Sequence, residues 1–147
     1  MTSGIYEIEL TVGVDFYHKA QTINCVRAAL DTCGGCNLIR RNQIPPGISI
    51  QPLSRPTKIA AAQGQDLHAL GEVRLQIRVG TIHVVTDAEF LVVDQLVVPV
   101  LLGTPCTARN VFGIDPKDRR VDLQFDPDGD SFSTPLFHSS KRNDTAV

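Results

Sequence analysis

The residues best suited to chemistry lie in Ala28-Ala29-Leu30-Asp31-Thr32. An acidic residue ends an apolar run, a hydroxyl follows it, and small residues come next. A carboxylate buried at a strand end costs free energy unless it is hydrogen-bonded or shares a proton with another acid. The bland reading of Asp31 is a cap on the turn or on a short helix behind it, a common role for Asp and Thr. Cys33-Gly34-Gly35-Cys36 overlaps the same loop as a C-x-x-C pair. That spacing suits a dithiol when a βαβ fold surrounds it. No such alternation appears, so the two cysteines read first as small turn residues. Zinc needs four ligands. Cys25, Cys106, His68 and His83 have no paired spacing with Cys33 and Cys36, so no metal site is expected. Ser131, Ser133 and Thr134 have no nearby base pattern, and His18 and His138 read as solvated.

The elements that position Asp31 carry a strand signal. Glu72-Val73-Arg74-Leu75-Gln76-Ile77-Arg78-Val79 alternates polar and apolar residues strictly. A period of two puts Val73, Leu75, Ile77 and Val79 on one face. Gly80-Thr81 reads as a turn and Ile82 to Val85 as the return strand. Phe90 to Val93 suits a buried strand. Ile5 to Val12 and Thr22 to Leu30 complete the set. Pro45-Pro46-Gly47 and Ser54-Arg55-Pro56 exclude a long helix between them. Short helices are predicted near Asn37 to Asn42 and near Thr107 to Val111. The fold class is all-β. A faint internal echo, Ala29-Leu30-Asp31-Thr32-Cys33-Gly34 against Val100-Leu101-Leu102-Gly103-Thr104, suggests pseudo-twofold architecture.

The bulk composition narrows the class. With 147 residues, 42% of them apolar and 20% charged, the chain can build one core plus a tail. Its 14 basic and 16 acidic residues give a net charge of −2, against a protein built to bind nucleic acid. Phe90 to Leu102 is too short and polar to span a bilayer. Met1 to Leu10 lacks a signal-peptide plan. An intracellular protein with reduced cysteines is expected. Residues 1–124 read as the domain and 125–147, rich in Asp, Gly and Ser, as a polar tail or linker.

Ala29-Leu30-Asp31-Thr32-Cys33-Gly34-Gly35-Cys36-Asn37-Leu38-Ile39 resembles the active-site segment of the retropepsin-like aspartic proteases of retroviral and retrotransposon polyproteins. Val98-Pro99-Val100-Leu101-Leu102-Gly103 resembles that family's second landmark, an apolar run ending in Gly. Ile59 to Gln65 with Leu70 to Val73 looks like its flap hairpin, and Phe90 to Asp94 like the strand leading to the second landmark. The likeness covers about Ile8 to Leu123. It implies a small closed β-barrel-like domain with a flap and one or two short helices. It also implies a homodimer, in which each chain supplies Asp31 to a shared site that cleaves a peptide or polyprotein substrate. No cofactor is implied. Thr32, Cys33 and Gly34 would support the active-site loop. Leu30, Ala62, Gln63, Gly64, Leu102 and Gly103 would line the substrate groove. The departure is Cys33, where the family pattern has Gly, a residue used where backbone passes close to backbone or ligand. Cys33 leaves open a degenerate dimerisation or peptide-binding module.

Overall fold

Among the described residues, alternation along the chain becomes twelve strands. They are β1 (Gly4–Gly13), β2 (Ile23–Leu30), β3 (Leu38–Arg40), β4 (Lys58–Ala60), β5 (Asp66–His68), β6 (Gly71–Val79), β7 (Val85–Val93), β8 (Val100–Leu102), β9 (Gly113–Asp115), β10 (Arg120–Gln124), β11 (Ser131–Pro135) and β12 (Phe137–Ser140). The computed structural model describes residues 4–14, 23–30, 35–45, 47–54, 58–60, 66–80, 82, 85–103, 113–124 and 130–140.

Six strands close into a mixed barrel in the order β1-β2-β8-β3-β7-β6, with β6 returning to β1. The β2–β8 and β3–β7 pairs are parallel, and the other barrel pairs are antiparallel. Closure removes the unpaired edges that an open sheet would leave. The period-two residues face inward as their spacing requires. Val73, Leu75, Ile77 and Val79 are buried on β6, Ile8, Leu10 and Val12 on β1, and Ala88, Phe90 and Val92 on β7. In a chain that has no Trp, Phe90 is the largest fully buried side chain among the described residues. A three-stranded sheet, β11-β10-β9, adds Val121 and Leu123 to the same core. Strand β12 extends the main sheet by pairing with Gly4 to Glu7 of β1.

The structure departs from the sequence reading in four places. Leu38 to Arg40, expected in a short helix, is a strand seated between β8 and β7. Leu38 and Ile39 are buried there, and pairing on both sides satisfies the backbone, so tertiary contacts override the local preference. What remains of the helix is a 3-10 turn at Arg41–Gln43. The other expected helix, Thr107 to Val111, lies outside the described residues. Of the expected return strand, Val85 begins β7, which runs on through Phe90 to Val93 because Asp87 and Glu89 are its solvent-facing positions rather than interruptions; Ile82 is outside any strand, and residues 83–84 lie outside the described residues. Leu70 to Val73, read as the second flap arm, leads into and begins β6. The partner of β4 is instead β5. Within the supposed tail, Ser131 to Ser140 forms β11 and β12, with Thr134 fully buried and Leu136 in the core. Ladder hydrogen bonds and one apolar anchor hold a segment whose composition alone argued against order.

The turn after β6 depends on Gly80. Its φ is +50°, its N–H donates to the Glu9 carbonyl at 2.7 Å, and a Cβ there would run into the side chain of buried Thr134. Left-handed backbone and overpacking both penalise a side chain at that position. Gly80→Ala is expected to cost about 2–4 kcal/mol. Urea unfolding would report this as a lower midpoint at an unchanged m-value.

Candidate active site

The candidate site is built where β2 and β8 end side by side. Their parallel register places Ala28 against Val100, Ala29 against Leu101 and Leu30 against Leu102. Both strands therefore present their C-terminal ends at the same end of the barrel. Asp31, Thr32, Cys33 and Gly34 directly follow Leu30 in the chain, and all four lie outside the described residues. The described chain resumes at Gly35, Cys36 and Asn37.

Asn37 is 3% exposed and binds two distant segments. Its Oδ1 accepts the Gly103 N–H at 2.9 Å, and its Nδ2 donates to the Glu89 carbonyl at 3.1 Å. Its own carbonyl accepts the Leu91 N–H at 2.9 Å. One side chain thus fixes the end of β8 against β7 at the point where the loop from Leu30 rejoins the barrel. The approach to β8 is held from the other side of β3. The Arg40 N–H donates to Pro99 O at 3.0 Å, and Arg40 Nε donates to Leu96 O at 2.6 Å. Arg41 adds an exposed ion pair with Asp94 at 2.8 Å, which is worth little in stability.

The other candidate residues sort by depth. Leu30 is half-buried and packs against the core. Leu102 is fully buried, so its side chain is core, and any contact with a ligand there falls to the backbone around Gly103. Ala62, Gln63 and Gly64 fall in the 61–65 connection between β4 and β5, outside the described residues. The β4–β5 pair is antiparallel, with Ile59 opposite Leu67. Ile59 packs in a small cluster with Leu38 and Val93, which roots the pair on the barrel. Cys36 is half-buried, while Cys25 is exposed on β2 with its Sγ 3.6 Å from Thr11 Oγ1. Among the described residues, no three His, Cys, Asp or Glu side chains gather closely enough to hold a metal ion. Cys33, Cys106, His18 and His83 lie outside them.

Sequence reasoning missed Asn37, seen there as a helix start. Its partners stand 52 and 66 residues away, so no local spacing could reveal it.

No protein-family model matches the chain, and no curated protein does. The fold and site define a small all-β domain on a closed six-stranded mixed barrel.

Removing the Asn37 amide strands a buried N–H and a buried carbonyl, so Asn37→Ala is expected to cost about 2–4 kcal/mol. Asn37→Asp keeps an acceptor for Gly103 but sets a carboxyl oxygen against the Glu89 carbonyl. Burial and that carbonyl raise the folded-state pKa of the introduced acid above its unfolded value of about 3.9. The variant is then closest to wild type at low pH and loses stability progressively as pH rises above about 4. Denaturant midpoints of both proteins across pH 4 to 8 check the sign.

Proposed function

We propose that this chain is a retropepsin-like aspartic endopeptidase domain, acting as a homodimer on peptide or polyprotein substrates. The observation that carries the reading is the parallel register of β2 and β8, which sets the strand leading to Asp31 beside the strand ending at Gly103. The Asn37 clamp on Gly103 and the β4–β5 pair are the further supports. The first joins the two segments that resemble the family's landmarks, and the second carries Ile59 and Ala60 from the first arm of the expected flap.

In this reading each chain contributes Asp31 to one site. Two carboxylates about 3 Å apart cannot both ionise, so the pair holds a single shared proton. The ionised Asp takes a proton from a water while that water's oxygen attacks the scissile carbonyl carbon. The protonated Asp donates to the carbonyl oxygen. The tetrahedral diol then collapses, the C–N bond breaks, and the leaving amine takes up a proton from the dyad. Water is consumed, and an acid and an amine result. Thr32 would hold the two loops together by hydrogen bonding, and the flap that Ile59 to Gln65 resembles would close over the peptide to exclude water.

Cys33 favours one other reading, a domain that keeps the dimer and the groove but not the chemistry. A Cβ where backbone must pass closely would store local strain of about 1–3 kcal/mol.

Peptide cleavage at about pH 5, where such dyads work, separates the readings. Wild-type activity is expected to fall by about 10³-fold or more in Asp31→Asn. Activity only in Cys33→Gly would establish the degenerate module. Activity that survives Asp31→Asn but requires both Cys33 and Cys36 would point to thiol chemistry instead. Sedimentation of the same samples should show a dimer. A strictly monomeric chain that cleaves would sink the shared dyad.

A further inference from the structure

A cavity of about 360 Å³ opens where β12 and the β9–β10 turn meet the outer part of β1 and β2. Arg27, Arg119, Tyr6 and His138 line it, with Phe137 and Leu136 as its apolar wall. Among the described residues that line it, none is acidic. The Arg27 guanidinium carbon lies 3.7 Å from the centre of the Phe137 ring, which covers one face and leaves the N–H edges to bind. Tyr6 and His138 stack beside each other with ring centres 4.7 Å apart.

Arg119 reaches this cavity at a conformational cost. Its φ is +54°, and it is the one non-glycine in the left-handed region among the described residues. The turn is held from both sides. Asp115 Oδ1 accepts the N–H groups of Lys117 and Asp118, and the Arg119 carbonyl accepts the Leu136 N–H at 2.8 Å. The neighbouring Arg120 spends its Nε on Ser133 Oγ at 2.6 Å. The side chains of Arg27 and Arg119 have no ion pair among the described residues. Glu9 stands opposite Arg27 in the β1–β2 register, yet the guanidinium rests on the ring and no ion pair joins the two. Arg27 on β2 and Arg119 in the β9–β10 turn thus line one concavity whose described lining residues include no acid.

We propose that this cavity binds a phosphate monoester. A dianion matches two guanidinium charges, and its three free oxygens match two planar forks with the Tyr6 hydroxyl and His138 ring beside them. The inference stands apart from the protease reading, because none of its residues belongs to the Asp31 loop.

The test is titration of the full chain with phosphoserine, inorganic phosphate and aspartate, followed by the NMR signals of the arginine Nε–H groups. Saturable shifts with the phosphates, at least about tenfold tighter than with aspartate, are expected from the doubled charge. Tighter phosphoserine than inorganic phosphate assigns an esterified ligand. The reverse assigns free phosphate, and both keep the shared chemistry. Arg119→Gly is the decisive variant, because glycine suits the left-handed turn. It should weaken binding at least tenfold while melting no lower than wild type. Arg27→Gln should weaken binding by a similar factor. Unsaturable shifts, equal response to aspartate, or unchanged affinity in both variants would overturn the proposal.

Discussion

A buried carboxamide is the constraint on which this barrel's working end depends. Asn37 sits away from water, where each unmet polar atom costs as much as a lost hydrogen bond. Its two side-chain bonds run to β7 and to the residue just past β8, so the amide fixes the spacing of both. The strand that follows it, β3, has only three residues. So short a stave, parallel to one neighbour and antiparallel to the other, has few ladder bonds to define its register. The amide and Arg40 supply that definition from either end. The ends of β2 and β8 are joined by their own parallel ladder, and β3 flanks β8 on its other side.

The remainder of the architecture is organised by β1. On one side it pairs with β12 through Gly4 to Glu7 and with β6 through Leu10 to Gly13, and on the other it pairs with β2 through Glu7 to Gly13. Strands β6 and β12 thus share one side of a single strand. The turn at Gly80 is where that sharing becomes tight, since Thr134 from the small sheet fills the space a side chain would take. The small sheet is therefore part of the barrel's packing.

Period-two patterning was legible wherever a strand has one wet and one dry face, and β6 was readable residue by residue. Strand β7 was read in pieces because its exposed Asp87 and Glu89 resemble turn residues until Arg74 and Gln76 are seen opposite them. Strand β3 was illegible because three residues carry no period. Strands β11 and β12 were hidden by Ser, Thr and Pro, and burial of Thr134 has no signature in a single sequence. At the candidate site, the apolar runs into Leu30 and Leu102 were visible, but their parallel pairing was not. The Asn37 clamp was not, because a side-chain bond across the fold leaves no trace in local spacing.

The path of β1 also sets an order of events during synthesis. Gly4 to Glu7 emerge from the ribosome well before their partners Phe137 to Ser140. At typical elongation rates the interval is on the order of ten seconds. During that time β2 can pair with one side of β1 while the other waits with its hydrogen-bonding groups open. The same strand must also leave room for β6, which arrives in between. An open strand side is where a nascent chain is most exposed to pairing with the wrong neighbour. Strand β1 is made before each of its partners and is fully enclosed only when the last of them arrives.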